Sequence, residues 1–373
     1  MEMKLAVLPG DGIGAEVIAA GMKVLEHVGK KFGHTIHAEH GDIGWAALDK
    51  GHKSALPAAT KELCARSQAI FFGAVGLPDR DKTLPLQERP ERVALLELRK
   101  GLFANLRHVV LPKNLKHLCP LRPEILEKYN NGMIDIMIIR ELTGGLYYGQ
   151  PQGISGTAPD RKAVDTMAYS EMEVRRILKV GFETARKRRK KLLSVDKANI
   201  LATSQLWRET AIAMGKEYPD VALEHMYVDN ASMQLLRRAS DFDVIVTENT
   251  FGDILSDEAS MLAGSIGLVP SACLGNEFLA NYDASAKGLP TATPFYEPIH
   301  GSAPDIAGKD LANPVGTILT ASMMLRYTFG LVKEADAIDR ATFEVLNEGK
   351  ALTGDLGGKA KCSEVAGAVM ARI

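Results

Sequence analysis

The stretch KLAVLPGDGIGAEVIAAGMKVLEHVGKKFG, Lys4–Gly33, predicts a strand, a tight turn and a helix in that order. The apolar run Lys4–Leu8 indicates the strand, and Pro9-Gly10-Asp11-Gly12 indicates the turn. Apolar or small residues at helical spacing indicate the helix, with Gly33 as its stop. These residues are Val17, Gly21, Val24, Val28 and Phe32. A strand that passes through a short turn into an amphipathic helix is typical of α/β proteins.

Apolar runs bounded by polar residues repeat along the chain and predict further strands. Such runs suit strands that are buried on both faces, as in a parallel sheet covered by helices. They are Ala69–Gly73, Ile134–Ile139, Asn199–Ala202 and Val244–Thr247. Helices are predicted after the capping box Ser170–Glu173 and over Asp229–Arg238, Asp253–Ala263 and Pro314–Tyr327. The predicted fold class is α/β.

Composition argues against several classes of protein. The chain has 373 residues, and its 45 Lys and Arg against 46 Asp and Glu give a net charge of −1. That balance disfavours a dedicated nucleic-acid binder. The basic run Arg186–Lys191 suits a solvated helix end, where cations favour the helix dipole. The sequence contains no run of 18 apolar residues, so it predicts no membrane-spanning helix.

The cysteines and the N-terminal segment favour a cytoplasmic protein. Met1–Pro9 lacks the length and the cleavage site of a signal peptide. The cysteines are far apart and form no C-x-x-C pair, which argues against a disulfide framework or a cysteine metal site. They are Cys64, Cys119, Cys273 and Cys362.

Gly10–Ala15, with the sequence GDGIGA, fits the dinucleotide-binding pattern G-x-G-x-x-A loosely. The acidic residue that this pattern expects at the end of a second strand, about 20 positions later, is missing. Asp11 would also lie badly beside a pyrophosphate. The alternative is that these glycines only make a tight turn between strand and helix.

Asp253 and Asp257 are four residues apart near a predicted helix start, so their carboxylates share one face. Like charges at that spacing cost about 0.2–0.5 kcal/mol unless something offsets them. A helix N-terminus offsets part of this cost, and a divalent cation such as Mg²⁺ or Mn²⁺ offsets more. Asp229 also follows a predicted strand, and strand ends are where α/β sheets bind ligands. The spacing alone leaves both interpretations open.

Three arginines are candidates for binding carboxylates, because a guanidinium group binds a carboxylate through two parallel hydrogen bonds. Arg99 lies one helical turn after Leu95, Arg107 follows, and Arg140 ends a buried run. A surface ion pair is the commoner role for any single arginine. It fits Arg140 least, because a charge at the end of a buried strand needs a partner.

Lys197 and Tyr147 are candidates for moving protons. Lys197, together with Asn199, is predicted to open a strand, and Tyr147 follows Thr143-Gly144-Gly145. A lysine near other cations gives up its proton more readily and can act as a general base. A solvated lysine and a hairpin aromatic are the alternatives.

Two polar segments break the alternation of strands and helices. The Lys162–Tyr169 end of Pro151–Ala168 predicts an exposed strand. Such an edge is a liability unless something covers it, which indicates pairing with a second subunit. Asn276–Pro294 is long and polar, and we expect it to be a loop outside the core.

Six motifs resemble, in matching order and over nearly the whole chain, those of the β-decarboxylating dehydrogenase family of isocitrate and isopropylmalate dehydrogenases. They are LPGDGIG from Leu8, RELTGGLYYG from Arg140, VDKAN from Val195, YVDN from Tyr227, ENTFGDILSDEA from Glu248 and EPIHGSAPDIAG from Glu297. The resemblance implies the family's own fold, two α/β domains with a cleft between them, distinct from a Rossmann domain. It implies a discontinuous cofactor-side domain, residues 1–104 and 264–373, and a second domain, residues 105–263, with a dimer-interface arm and helices. Asn276–Pro294 looks inserted ahead of the last motif.

The resemblance also implies the roles of individual residues in a homodimer whose subunits share each active site. The partner subunit would supply Lys197 and Asp229. Catalytic residues would be Tyr147 and Lys197; substrate would contact Leu95, Arg99, Arg107, Arg140 and Asp229; Mg²⁺ or Mn²⁺ would bind Asp229, Asp253 and Asp257; and NAD would bind His300, Gly301, Ser302, Ala303, Asp305 and Asn313. Asp305 would accept hydrogen bonds from the ribose hydroxyls and repel the 2′-phosphate of NADP.

The implied reaction is NAD-dependent oxidation of a 2-hydroxy acid followed by β-decarboxylation. Within the family the motifs match best the branch that converts (2R,3S)-3-isopropylmalate to 4-methyl-2-oxopentanoate and CO₂ in leucine biosynthesis. An apolar wall formed by Leu95, Leu96 and Leu98 would suit the isopropyl group. The alternatives are a related R-malate (homoisocitrate, tartrate or 3-methylmalate) as substrate, or a non-catalytic regulatory subunit.

Overall fold

The computed structural model describes residues 1–130 and 132–373. In chain order its strands are β1 Glu2–Gly10, β2 Thr35–His40, β3 Ala69–Ala74, β4 Ala104–Val110, β5 Asp135–Glu141, β6 Gly153–Ser155, β7 Lys162–Val164, β8 Lys191–Asp196, β9 Ala222–Tyr227, β10 Val244–Thr247, β11 Pro270–Leu274 and β12 Phe295–Pro298. Its helices are α1 Gly14–Phe32, α2 Trp45–Asp49, α3 Ala58–Arg66, α4 Pro78–Asp81, α5 Leu96–Arg99, α6 Pro123–Asn130, α7 Glu171–Arg186, α8 Ala202–Gly215, α9 Val228–Arg238, α10 Asn249–Leu262, α11 Asn276–Leu279, α12 Val315–Tyr327, α13 Val332–Glu348 and α14 Cys362–Met370.

Ten strands form one sheet in the order β2-β1-β3-β12-β11-β4-β5-β10-β8-β9. The strands β2, β1, β3 and β12 are parallel to one another, and so are β5, β10, β8 and β9. Between the two groups, β11 and β4 are antiparallel to both of their neighbours. The two parallel groups therefore run in opposite directions and meet at two central antiparallel strands.

One face of this sheet carries a single continuous apolar cluster. Side chains such as Val7, Leu106, Ile139 and Val246 belong to a single buried cluster. The helices α1, α7 and α12 bury their apolar sides in the same cluster. Burial on this scale, at about 25 cal/mol per Å² of apolar surface, is the main source of the sheet's stability.

The opposite face carries two separate apolar clusters. One lies around Leu8 and Phe72, and the other around Ile138 and Ile245. Polar side chains of the central strands lie between them. Because side chains alternate between the two faces of a strand, the same strands supply apolar residues to one face and polar residues to the other.

Most of the predicted elements are confirmed. The runs Ala69–Gly73 and Val244–Thr247 lie in β3 and β10, and Ile134–Ile139 corresponds to β5. Gly33 ends α1 in the left-handed conformation with φ 74°. Ser170 caps α7 in a capping box with Glu173. The α/β class with mainly parallel strands is confirmed.

The predicted strand at Asn199–Ala202 is wrong. The strand is β8, which ends at Asp196, and the chain then turns. The backbone N–H groups of Ile200 and Leu201 both donate to the Lys197 carbonyl oxygen at 3.0 Å, and α8 begins at Ala202. Ile200 is exposed, so the apolar letters of this run do not mark a buried strand. Lys197 therefore follows a strand end and does not open a strand.

The predicted helix start at Asp253 is also displaced. The helix α10 begins at Asn249, after Glu248. The Glu248 carboxylate caps the helix by accepting hydrogen bonds from the backbone N–H groups of Thr250 and Phe251. Asp253 therefore lies one turn inside the helix, where the helix N-terminus offsets less of its charge.

The segment Asn276–Pro294 is only in part a loop, and the prediction that it lies outside the core is wrong for its first turn. Phe278 and Leu279 of α11 are buried in the main core. The Phe278 ring meets the rings of Tyr282 and Tyr327 edge-on, at centroid distances of 5.2 and 5.5 Å. A single helical turn buries these few apolar residues among polar neighbours, which a long-window pattern does not reveal.

The turn after β1 is tied to the start of α2 and to the segment that follows β3. The buried Asp11 carboxylate accepts hydrogen bonds from the backbone N–H groups of Trp45, Ala46 and Gly76 at 3.1, 2.8 and 2.8 Å. Burial raises the pKa of Asp11, and these three hydrogen bonds oppose the shift. Since the Asp11 side chain is engaged inside the protein, the tight-turn interpretation fits better than a pyrophosphate site.

Gly10→Ala is expected to destabilise the fold far more than Gly308→Ala. Both glycines have φ +72°, but a Cβ at Gly10 would lie 1.9 Å from the Ala74 carbonyl oxygen, whereas none of the atoms described lies within 4 Å at Gly308. The conformational cost shared by both variants is about 1–2 kcal/mol. Urea unfolding should show a loss near this value for Gly308→Ala and a clearly larger one for Gly10→Ala. Equal losses would contradict the steric argument.

The domain division stays a prediction. The strands β2, β1, β3, β12 and β11, from residues 1–104 and 264–373, occupy one half of the sheet. The other half comes from residues 105–263, except that β4 begins at Ala104.

No helix in the described residues is long and apolar enough to cross a membrane. All four cysteines are free and buried.

Candidate active site

A row of polar side chains crosses the centre of the sheet, on the face that carries two separate apolar clusters. The row lies between these two clusters. Strand register places Ser271 beside both Arg107 and Glu297. It places Asn105 beside Arg140. Residues that are paired across neighbouring strands point to the same face, so these five side chains share one surface.

Arg140 is the last residue but one of β5 and is only 5% exposed. Its Nε and Nη2 donate to Asn249 Oδ1 at 3.0 and 2.8 Å, and its Nη1 is ion-paired with Asp253. Burial lowers the pKa of Arg140, and Asp253 opposes this shift. The expectation that a charge at the end of a buried strand needs partners is confirmed.

Arg107 of β4 contacts α10, the helix that carries Asn249 and Asp253. Its Nη1 donates to Ser256 Oγ at 2.8 Å and is ion-paired with Asp257. Its Nη2 lies 3.9 Å from Asp253 Oδ1, and its Nε donates to Asn105 Oδ1 at 3.2 Å. The structure therefore brings two of the three predicted metal ligands against two of the three predicted carboxylate-binding arginines.

Arg99, on α5, faces the same surface from the other side. It is ion-paired with Glu297 of β12, and its buried Nε has no hydrogen-bond partner in the described part of the chain. Together with Leu95, Arg107 and His300 it lines a small cavity of about 180 Å³. An unpaired buried N–H is costly, so a carboxylate ligand in this cavity would relieve it.

The leucine wall is narrower than the sequence predicts. Leu95, in a π-helical turn over Glu91–Leu95, lines the cavity. Leu96 is exposed to solvent, and Leu98 packs against the apolar cluster around Phe72. Leu95 is therefore the member of the predicted wall that lines this cavity.

Tyr147 lies at the end of a short turn, Gly145–Tyr147, over the Arg140 guanidinium group. Its hydroxyl donates to Asp253 Oδ2 at 2.8 Å. Burial, together with this hydrogen bond, raises the pKa of Tyr147 to about 12. The phenol therefore keeps its proton at neutral pH.

Glu141 holds the chain that leads to Tyr147. Its buried carboxylate accepts hydrogen bonds from the backbone N–H groups of Thr143 and Gly144. The same carboxylate forms an ion pair with Arg176. Asn249 adds a hydrogen bond from Nδ2 to the Gly144 carbonyl oxygen at 2.9 Å. The tyrosine is thus placed by a network fixed on one strand, β5, and two helices, α7 and α10.

Lys197 and Asp229 lie elsewhere. Lys197 follows β8 and Asp229 lies in the first turn of α9, and their side chains form an ion pair. The hydrogen bond from Lys197 lowers the pKa of Asp229, whose side chain is 59% exposed. Neither side chain makes a described contact with Asp253 or Tyr147.

The predicted cofactor residues form a loop beside the small cavity. His300 is buried, burial lowers its pKa, and its Nε2 has no partner in the part of the chain that the structure describes. The Ser302 carbonyl oxygen accepts from Ile13 N at 2.7 Å, which ties the loop to the turn after β1. Gly301 and Asp305 are exposed, and Ala303 has a positive φ of 37°. Asn313 is engaged elsewhere, because its Nδ2 donates to Asp355 Oδ2 at 2.9 Å.

The donors present suit both implied ligands. Asp253 and Asp257 offer the oxygen atoms that Mg²⁺ and Mn²⁺ prefer, and the free His300 Nε2 is a polar group ready for a bound cofactor. Within residues 1–130 and 132–373 no three His, Cys, Asp or Glu side chains are close enough to hold a metal. In one chain, Asp229 is thus not part of a three-carboxylate site.

Three functional candidates are missing from the sequence prediction: Glu297, Asn249 and Asn105. Glu297 is a carboxylate within a buried strand, a signal that a partner cation is nearby. Asn249 and Asn105 are buried amides that orient Arg140 and Arg107. The contacts of Glu297 with Arg99 and of Asn249 with Arg140 depend on how α5 and α10 pack on the sheet, which spacing along the chain does not reveal. Asn105 lies two residues before Arg107 on β4 and therefore shares a face with it.

Asn249→Leu is expected to lower stability and weaken substrate binding together. The change removes the acceptor for two Arg140 N–H groups and the donor to Gly144, and each unpaired buried group costs about 1–3 kcal/mol. Urea unfolding and the substrate KM measure the two effects. Asn347→Leu, at an exposed asparagine, is the control, and a normal KM in Asn249→Leu would contradict the positioning role.

Comparison with known proteins places this geometry in a family. A family model described as "Isocitrate/isopropylmalate dehydrogenase" matches residues 4–369. The chain is 51% identical over 357 residues to a 3-isopropylmalate dehydrogenase of Syntrophotalea carbinolica, covering 95% of this chain and 92% of that protein. It is 52% identical over 358 residues to a 3-isopropylmalate dehydrogenase of Nitratidesulfovibrio vulgaris, covering 95% and 94%.

Solved structures agree with the sequence comparison. The crystal structure of isocitrate dehydrogenase from Methylococcus capsulatus superposes with a TM-score of 0.82 at 30% identity, and 99% of each chain is covered. A β-decarboxylating dehydrogenase from Thermococcus kodakarensis gives a TM-score of 0.75 at 32% identity, covering 99% of this chain and 95% of that one. The chain therefore belongs to the isocitrate/isopropylmalate dehydrogenase family.

Proposed function

We propose that the protein oxidises and decarboxylates (2R,3S)-3-isopropylmalate to 4-methyl-2-oxopentanoate and CO₂, with NAD as oxidant, in leucine biosynthesis. The observation that carries this proposal is the convergence of three arginines, two aspartates and Tyr147 beside the His300 loop. The named activity of relatives about 50% identical over most of the chain supports the choice of substrate.

The arginines would bind the two carboxylates of the malate skeleton. Arg140 and Arg107 are held rigidly by Asn249 and Asn105, which favours bidentate binding in one orientation. Arg99 has an Nε without a hydrogen-bond partner among the described residues and lines the same cavity as Leu95. The apolar Leu95 side chain would pack on the isopropyl group, whereas a third carboxylate at that place would find no partner.

Asp253 and Asp257, with Asp229 of the partner subunit, would hold Mg²⁺ or Mn²⁺. When bound, the cation would act as a Lewis acid on the substrate's hydroxyl and carboxylate oxygens and as a template for their orientation. The ion pairs that Asp253 and Asp257 now make with arginines would be exchanged for metal ligation.

A homodimer would complete the site. Exposed apolar side chains on α9 and α10 form a surface typical of subunit contacts: Met233, Leu236, Ile254 and Met261. The hairpin β6–β7 is exposed on both strands, including Ile154 and Val164. Across such an interface Lys197 and Asp229 of the partner subunit would reach the arginines and aspartates that they do not contact within one chain.

Two side chains would move the protons. Lys197 of the partner subunit would accept the proton of the C2 hydroxyl as hydride leaves C2 for NAD. After CO₂ departs, Tyr147 would supply the proton that completes the ketone, and its raised pKa keeps that proton available. The NAD would lie on His300, Gly301, Ser302, Ala303, Asp305 and Asn313.

A substrate panel with NAD and NADP tests the proposal. We expect kcat/KM for 3-isopropylmalate to exceed that for isocitrate by about 10²–10⁴-fold, because Leu95 leaves an added carboxylate unpaired. We also expect NAD to be preferred over NADP. A preference for homoisocitrate, tartrate or 3-methylmalate would overturn the interpretation of Leu95, and failure to reduce NAD with any of these acids plus Mg²⁺ would favour a regulatory subunit. A cytoplasmic location stays a prediction from the sequence.

A further inference from the structure

A second, larger cavity lies on the opposite face of the sheet from the candidate active site. This back cavity has a volume of about 820 Å³. Its floor includes His108 of β4 and Met137 of β5, and its walls are the end of α7, the segment after α11, and the helices α12 and α13. Its volume is in the range of about 300–1,000 Å³ that is usual for small-molecule sites.

One wall of the back cavity is aromatic. The Phe278 ring meets the rings of Tyr282 and Tyr327 edge-on, and Phe329 and Phe343 lie further along the lining. Rigid aromatic walls give a large apolar contact area without loss of side-chain freedom on binding. This wall suits a ligand with a ring or a branched apolar body.

The basic side chains that line the back cavity differ in whether a carboxylate pairs with them. Arg188 is paired with Asp135 and Asp243. Arg326 is likewise paired with two carboxylates of α13.

Lys187 differs from both arginines. Its Nζ donates to the Tyr282 hydroxyl at 3.1 Å and lies 4.6 Å from the centre of that ring. Among the described residues, no carboxylate lies within 4.0 Å of this ammonium group. Lys187 is thus a cation without a counter-ion, fixed at the edge of an aromatic wall.

We propose that the back cavity binds a small amphipathic organic anion, with its apolar body against the Phe278–Tyr282 wall and its carboxylate or sulfonate head on Lys187. The Tyr282 hydroxyl, which accepts from Lys187, still has its own proton to donate to the same head group. A charged head beside an apolar wall matches the usual pattern of small-molecule sites, in which a few polar groups fix the orientation of an apolar body.

The site is separate from the proposed active site. His108 lies on the apolar face of β4, whereas Arg107 lies on the polar face, because successive side chains of a strand point in opposite directions. The back-cavity ligand is therefore expected to bind together with substrate and NAD and not in competition with them.

Fluorescence titration with 8-anilino-1-naphthalenesulfonate tests the proposal on the intact protein. We expect the dye to bind one site per chain and to stay bound when NAD and 3-isopropylmalate are added in excess. Lys187→Gln should weaken dye binding by about tenfold or more, and Lys187→Glu should weaken it further. Both variants should keep normal turnover.

Lys179→Gln is the matched control, because Lys179 also lies over a tyrosine ring, 5.3 Å from the centre of Tyr218, but lines a different cavity. Its dye affinity should equal that of the unmodified protein. Displacement of the dye by NAD or substrate would place it in the active site and overturn the proposal. Unchanged affinity in both Lys187 variants, or no saturable dye binding at all, would also overturn it.

Discussion

Lys197→Met is expected to lower kcat by about 10²–10⁴-fold, the usual contribution of a general base, while substrate and metal still bind. Methionine has a similar length but cannot accept the hydroxyl proton. The three arginines that would hold the substrate are unchanged in this variant, and the carboxylates that hold them are those of Glu297, Asp257 and Asp253. Initial-rate kinetics give kcat, and calorimetric titration with 3-isopropylmalate and Mg²⁺ gives the binding constants.

Lys216→Met is the control for this prediction. Lys216 is an exposed lysine just after α8, and its loss should leave kcat unchanged. Normal turnover in Lys197→Met would refute the assignment of the base. A large loss of substrate affinity with little change in kcat would instead make Lys197 a binding residue.

A mixture of two inactive variants is expected to recover activity. If each active site combines Asp253 of one subunit with Lys197 of the other, a dimer of Lys197→Met with Asp253→Asn has one site with both residues intact. Random pairing of equal amounts makes half of the dimers mixed, so the mixture should reach about 25% of the activity of the unmodified protein. Each variant alone should stay close to zero.

The unfolding and refolding of the mixed variants, followed by an activity assay, measures this recovery. Mixing two samples of the same variant is the control for effects of refolding. If the mixture stays as inactive as its parents, each site lies within a single chain. The separation of the Lys197–Asp229 pair from Asp253 and Tyr147 would then require a different explanation, such as closure within one subunit.

Sequence patterns predict the strands well where the run is continuously apolar. Val244–Thr247 is predicted to the residue, because all four of its side chains are buried. The prediction fails at β8, since Ser194 interrupts its apolar run and the next apolar letters, around Ile200, lie in a turn. A strand that is buried on both faces and wholly apolar is recognised as a continuous apolar run. In β8 the run is broken by Ser194, which is polar but is buried beside Trp207 of α8.

The candidate site is predicted in part from single residues and in part only by resemblance. Arg140 is predicted to need a partner from its place at a strand end, and the structure supplies two. The pairing of Lys197 with Asp229 depends on β8 lying beside β9, with Asp196 opposite Tyr227. Local patterns do not encode which strands become neighbours, so this pair could not be found from spacing.

The arginine–aspartate pairs of the candidate site have a consequence for how ligands associate with it. At rest, Asp253 and Asp257 neutralise Arg140 and Arg107, so neither a free dianion nor a free dication meets a bare opposite charge. A cation that takes the aspartates releases the arginines, and an organic acid that takes the arginines releases the aspartates. By thermodynamic linkage each ligand then strengthens the other by the same factor. The protein would thus bind the cation or the organic acid weakly when only one of them is present. It would bind both tightly when they are present together.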